Sequence, residues 1–461
     1  MVYFSTLDVV IILTFFALVL LIGYYSGHKL KDDAEDYLLS SRKVGLFLFI
    51  LTNVSTWYGG ILGVGEFTYN YGLVSWFTQG LPYYIFAFLF AIFFAKKIHN
   101  ASLFTIPDKL EQVYGKQVSL FASALIFILV SPAPYLLMLA SLISLIFKIN
   151  IIISLIACTA FALIYMIKGG YKSDLYTDAI QFFVMFAGFI IIVYFSYKNY
   201  GGIDFLKSRL PAAHLDFTGG TSPSFIIVWF LIALWTFADP GFHQRCYAAK
   251  TGNVAKYGIL ISILLWAFFD FLTTTTGLFS RALIPNIVNP VLSFPYYAEK
   301  VLTSGFKGLF YAGLFASILS TFNSFLFLSG TTFSRDFIFK FADTDESKLK
   351  LYTIVGLILS GVVSVIIAYL VPSVIRIWYI IGSLCVPAII LPVVSAYYSK
   401  LRIAKKFMLV EMIFAFTIGV IWYGIRNNIY GMQIIQDIEP MIVSLLAASI
   451  LHTIFLQRSK N

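Results

Sequence analysis

The sequence predicts an all-α integral membrane protein with about thirteen transmembrane helices, two of them broken at mid-membrane, and three observations carry that prediction. Of its 461 residues, 60% are hydrophobic and 12% charged, and the mean hydropathy of +0.88 lies far outside the range of soluble domains. Apolar windows of about 20 residues recur along the whole length, each long enough to cross a hydrocarbon core of about 30 Å. Two of these windows carry, at their middles, residues that helices avoid.

The windows run roughly 5–27, 44–68, 73–95, 117–147, 149–167, 173–197, 223–247, 255–280, 306–335, 350–371, 373–399, 404–425 and 438–457. The first has no basic residue before it and His28, Lys29 and Lys31 after it, the pattern of a retained anchor rather than a cleaved signal. In the second, Asn53, Val54, Ser55 and Thr56 precede Gly59, Gly60, Gly63 and Gly65. In the seventh, Ala238-Asp239-Pro240-Gly241 interrupts the span. Unwound backbone at membrane depth survives only where protein or a wet cavity satisfies it, so both breaks mark a binding site. Pro132 and Pro134 in the fourth window, and Pro387 and Pro392 in the eleventh, predict kinks supported by neighbouring helices. The polar segment 200–222 reads as an outer loop, and a short surface helix is expected around 295–301.

Most of the 32 basic residues, among them Lys29, Lys31, Arg42 and Lys43 and the group Lys400, Arg402, Lys405 and Lys406, fall on one side of this topology. The positive-inside rule then puts the N-terminus outside and the C-terminus in the cytoplasm of a multi-pass cell-membrane protein. The net charge of +10 is therefore a topology signal and not a nucleic-acid footprint. Cys158, Cys246 and Cys385 are odd in number and lie in or beside spans, and the five His are dispersed, so neither a disulfide framework nor a zinc site is expected. With no phosphate-binding loop and no room for a catalytic domain, an enzyme or an ATP-driven pump is not expected.

Windows two to six and seven to eleven form two blocks of five, each opening with a broken helix, as an inverted repeat requires. The chain divides accordingly into an N-terminal helix and loop (1–43), a first repeat (44–199), an outer loop (200–222), a second repeat (223–399) and two further helices (400–461). In the ninth window Ser317, Ser320, Thr321 and Ser324 fall at i, i+3, i+4 and i+7 on one helical face. Such oxygens suit a small hard cation, or they bond back to the preceding turn and let helices pack closely.

Several motifs then point to a family. Thr105-Ile106-Pro107-Asp108-Lys109-Leu110-Glu111, Gly169-Gly170 with Tyr176-Thr177-Asp178 and Gln181, Asp239-Pro240 with Gln244-Arg245 and Ala248-Ala249-Lys250, and Ser320-Thr321 with Ser329, Arg335 and Asp336 occur in order. Over roughly 5–400 the chain resembles the sodium:solute symporter family, whose known structures share the LeuT-type five-plus-five fold. The resemblance implies a principal sodium site built from carbonyls at Leu51, Val54 and Ser317 with the hydroxyls of Ser320 and Thr321. It implies a possible second sodium site at Asp178, Ser320, Asn323 and Ser324, unless Asp178 only favours the start of its helix. Solute candidates are Asn53, Ser55, Thr56, Trp57 and Tyr58 at the first break, and Trp235 and Asp239 at the second. Asp239 stands where many relatives carry Gln; it either attracts a cationic solute or caps the helix that follows. Asp270 and Glu66 are also acidic and membrane-embedded, without an assigned role. The expected function is sodium-coupled import of a small organic solute by alternating access, against the alternatives of a membrane sensor on the same helices or a proton-coupled transporter. Neither the solute nor the oligomeric state is legible.

Overall fold

The computed structural model describes residues 2–26, 34–342, 348–428 and 438–458. His28, Lys29 and Lys31 lie outside the described residues. Among the described residues, twelve helices are long and apolar enough to cross a membrane. One of them, Ile151–Tyr200, has 50 residues, or about 75 Å at 1.5 Å per residue, more than twice the hydrocarbon thickness. It is bent at Gly170 (φ 52°, ψ −146°), where a Cβ would sit 2.7 Å from the Tyr37 carbonyl oxygen, so the Gly169-Gly170 motif is the turn between two crossings. Thirteen crossings result.

We number them α1 (Thr6–Ser26), α2 (Leu46–Tyr71), α3 (Trp76–Phe93), α4 (Lys116–Phe147), α5 (151–169), α6 (171–200), α7 (Pro223–Ala248), α8 (Gly252–Leu283), α9 (Phe306–Phe339), α10 (Leu349–Leu370), α11 (Val374–Tyr397), α12 (Lys405–Asn428) and α13 (Pro440–Arg458). α4 is interrupted at Val130-Ser131-Pro132, and α11 carries Pro387 and Pro392 within a continuous helix. The expected surface helix is present as Ser293–Val301. The segment 200–222, expected as an outer loop, is not all loop. It forms Ile203–Arg209 and Ala212–Leu215, because Phe205 stacks on Phe279 of α8 with ring centroids 5.9 Å apart.

α9 is the axle of the molecule, buried throughout its membrane window. Small residues allow the close approach that packing in lipid relies on. A Cβ on Gly188 of α6 would lie 3.2 Å from Phe310 Cα, and one on Gly356 of α10 would lie 2.4 Å from the Gly330 oxygen. By contrast α1, α12 and α13 turn much of their surface outward.

Candidate functional site

Four helices meet at the break in α2. Its first half is α-helical to Ser55, Thr56–Gly60 is a tighter 3₁₀ turn, and Tyr58 leaves helical geometry (φ −93°, ψ 21°). The turn lies against α9 because Gly59 has no side chain: a Cβ there would sit 2.2 Å from Thr321 Cβ. That contact lets Thr321 Oγ1 donate to the Thr56 carbonyl oxygen at 2.5 Å. Ser320 Oγ donates to Asp178 Oδ1 at 2.5 Å and lies 3.2 Å from Ser55 Oγ. Ser317 Oγ instead donates back to the Gly313 oxygen at 3.0 Å, and the Ser317 carbonyl lies 3.4 Å from Thr321 Oγ1. Leu51 and Val54 are buried one turn before the break.

Asp178 is fully buried two turns inside α6, too far along to cap it, and its partners lie on other helices. It accepts from the hydroxyls of Thr52 and Thr56, the latter at 3.0 Å, as well as from Ser320. Arg245 of α7 approaches Asp178 to 3.9 Å and donates to Thr56 Oγ1 at 2.5 Å and to the Gly241 carbonyl at 3.2 Å. One turn earlier on α6, Asp174 accepts from Ser324 Oγ at 2.6 Å. Among the described residues its other oxygen has no hydrogen-bond partner, and the fully buried Asn323 amide meets none in good geometry, its polar neighbour being the Tyr165 hydroxyl. Asp174 and Arg245 have no place in the sites the resemblance implies. The available signals were the i, i+4 spacing of Asp174 and Asp178 and a basic residue six positions past the Asp239-Pro240 break.

Beside this junction a cavity of about 190 Å³ lies between the two breaks. Asn53, Thr56, Trp57, Tyr58, Trp235 and Asp239 line it, whereas Ser55 faces Ser320 instead. Trp229, Trp378, Tyr83, Tyr135 and Asp270 also line the wall, as does Arg245. Trp378 of α11 fits because Gly60 leaves room, a Cβ there meeting the indole at 2.4 Å. Asp239 caps the second half of α7: Oδ1 accepts from the Phe242 backbone N–H at 2.8 Å, and Oδ2 from Trp235 Nε1–H at 2.7 Å. A carboxylate offers about four acceptor positions, so the cap leaves capacity facing the cavity.

The sequence motifs around Thr105 and Arg335 pair with each other. Thr105 and Asp108 form a reciprocal cap on the helix Ile106–Tyr114, and Thr105 Oγ1 also donates to Asp336 at 2.8 Å. Arg335 and Lys340 reach Asp108 at 3.3 and 3.2 Å. Burial pushes the Asp108 carboxyl up, but the two cations outweigh it and hold it below its ordinary value. Tyr247, at the end of α7, joins this layer through Tyr397 at 2.8 Å.

Two broken helices converging on a hydroxyl-rich face of a third, beside an aromatic-walled cavity, define a transporter architecture of the LeuT type. Residues 37–413 match the model of the sodium:solute symporter family, and the chain belongs to that family. It is 25% identical to high-affinity choline transporter 1 of Drosophila melanogaster over 400 residues, 82% of this chain and 64% of the fly protein. It thus spans under two thirds of that relative's length. Sodium/myo-inositol cotransporter 2 of Bos taurus is 23% identical over 71% of this chain and 56% of the bovine one. Among solved structures, a substrate-bound, outward-open sodium-coupled sialic acid symporter superposes with a TM-score of 0.83 at 17% identity, covering 99% of this chain and 98% of that one. The nucleobase-cation-symport-1 family transporter Mhp1 gives 0.61 at 13% identity, covering 92% and 94%.

Proposed function

We propose that the protein imports a small organic cation of the substituted-ammonium class, driven by sodium. The observation that carries this reading is the cavity at the two breaks, walled by Trp57, Trp229, Trp235, Trp378 and Tyr83 with Asp239 among them. Indole faces attract ammonium groups most strongly where water is excluded, and the carboxylate supplies the counter-charge. At about 190 Å³ the cavity is below the range of drug-sized pockets, which favours a compact solute. The choline-transporter relatives point the same way.

In this reading one sodium ion binds the carbonyls of Leu51, Val54 and Ser317 with the hydroxyls of Ser320 and Thr321. It takes up the hydroxyl and carbonyl dipoles that now bond to each other across α2 and α9, and thereby holds the α2 break in the shape that completes the solute cavity. Separation of α2 from α9 releases both ligands. A second ion belongs beside Asp178, Asn323 and Ser324, with Asp174 as a further ligand. Two carboxylates face one guanidinium there, which leaves one negative charge to balance. The unpartnered oxygens of Asn323 and Asp174 favour sodium in that role over a shared proton. The solute is met by Asn53, Thr56, Trp57, Tyr58, Trp235 and Asp239. Ser55 supports the ion site through Ser320.

The membrane is the cell membrane, with the N-terminus outside. On a cysteine-free background, Val288→Cys, in an exposed turn between α8 and α9, should be labelled from outside and Lys400→Cys from inside. The test of function is uptake of labelled choline into proteoliposomes with an inward sodium gradient. Saturable, sodium-dependent uptake is expected. Uptake that follows a proton gradient without sodium would replace the sodium reading.

A further inference from the structure

Asp270 of α8 lines the same cavity, yet it shares no hydrogen-bond partner with Asp239. Its Oδ2 accepts from the Tyr84 hydroxyl, the Tyr58 hydroxyl interacts with it as well while donating to the Trp266 carbonyl, and among the described residues no Lys, Arg or His side chain pairs with it. A carboxylate at membrane depth with so little compensation is costly unless something else engages it. The neighbouring backbone is shaped around it. α3 opens with a wide π-type turn, Trp76–Gly80, which brings Trp76 and Gln79 to the cavity wall. Gly80 leaves the carboxylate its seat, since a Cβ would meet Asp270 Oδ2 at 2.9 Å and the Tyr84 oxygen at 3.0 Å. Gln79 Nε2 has no partner, and Asn53, 4% exposed on the same cavity, also has an unpartnered Nδ2. Thr274 lines the cavity one turn beyond Asp270.

From this arrangement we infer a second polar subsite at Asp270, which receives a hydrogen-bond-donating head of the solute, a hydroxyl or a second ammonium, while the first ammonium lies at Asp239 and the indoles. The inference rests on the cation reading above and narrows it to two-headed solutes. Asp270 and Thr274 accept from the head; Gln79 and Asn53 donate to its lone pairs where it is a hydroxyl.

The test compares matched probes by calorimetry on purified protein in saturating sodium: choline against ethyltrimethylammonium, and 1,3-diaminopropane against propylamine. In the unsubstituted protein at least one two-headed probe should bind about tenfold or more tighter than its one-headed match, the scale of a hydrogen bond to a charged group. That ratio should collapse towards one in Asp270→Asn for the diamine, and in Gly80→Ala, whose added methyl displaces the carboxylate, for whichever pair showed it. Preference for choline identifies the head as a hydroxyl; preference for the diamine identifies it as an ammonium. Equal binding of matched probes in the unsubstituted protein, or ratios unchanged in both variants, would overturn the subsite and leave the cation reading standing. Absence of binding by all four probes, with sodium still raising thermal stability, would overturn both.

Discussion

At α7 the chain caps its own break, whereas at α2 it takes a partner from another helix. Asp239 accepts the Phe242 N–H three residues ahead, so the second half of α7 starts with its donors satisfied locally. The α2 break has no such side chain. The Thr56 carbonyl in the 3₁₀ turn accepts from the Thr321 hydroxyl of α9, and the approach depends on Gly59. A break capped from within keeps its shape whatever its neighbours do. One satisfied from outside changes shape when the neighbour or an intervening ion moves, which fits the proposed roles of α2 as the sodium-responsive break and α7 as a fixed wall of the cavity.

The comparison breaks most readily at α9. Replacing Ser320 and Thr321 together with Ala removes two hydroxyl ligands, each worth roughly 1.5 to 3 kcal/mol to a charged partner. Apparent sodium affinity should fall by about a hundredfold or more. Solute affinity should fall at low sodium and recover at high sodium, because coupling between two binding sites is reciprocal. Unaltered sodium dependence of uptake in this variant would remove the ion site from α9. Next in size is Asp239→Asn, which keeps a capping side chain but loses the charge. Choline affinity should fall about tenfold or more with sodium affinity and thermal stability nearly unchanged. Asp239→Ala should add a stability loss of about 0.5 to 2 kcal/mol, and equal losses in both variants would reduce Asp239 to a cap. Asp178→Asn sharpens the α2 side: with two ions coupled, the Hill coefficient for sodium should drop from near two towards one. A coefficient unchanged by the substitution would restrict the site to a single ion.

The smallest effect lies outside the cavity. Asp108 is held below its ordinary value by Arg335 and Lys340, so its contribution to stability is complete above the unfolded value of about 4 and is lost as pH falls through the lower folded value. Thermal unfolding in detergent between pH 7 and 3 should show a steeper acid decline in the natural protein than in Asp108→Asn, which starts less stable. Parallel curves would mean that the ion pairs around Asp108 are not felt.

What the sequence made legible follows periodicity and local chemistry. The oxygen face of α9 could be read because that helix keeps its 3.6-residue repeat through Ser320 and Thr321, and the α7 break because Asp-Pro is a local signal. Ser55, counted with the solute residues from its neighbours Asn53 and Thr56, instead points from the last α-helical turn of the first half of α2 towards Ser320 of α9, a contact between helices far apart in the chain. Trp378, Tyr83 and Asp270 escaped assignment for a similar reason. They reach the cavity from α11, α3 and α8, and their seats, Gly60 for Trp378 and Gly80 for Asp270, are contacts between residues far apart in the chain. Ser317 combined two readings, its hydroxyl bonding back within α9 while its carbonyl lies near Thr321.

The burial of α9 has a mechanical consequence. No residue of its membrane window meets a lipid chain, whereas Leu446 and Ile450 of α13 and Val410 and Ile421 of α12 face outward. Hydrophobic mismatch between protein and bilayer is absorbed first by helices that touch the acyl chains, through tilt and local thinning. Lipids of different thickness therefore strain the outer helices first and leave α9, with the ion site proposed on it, shielded from the composition of the surrounding membrane.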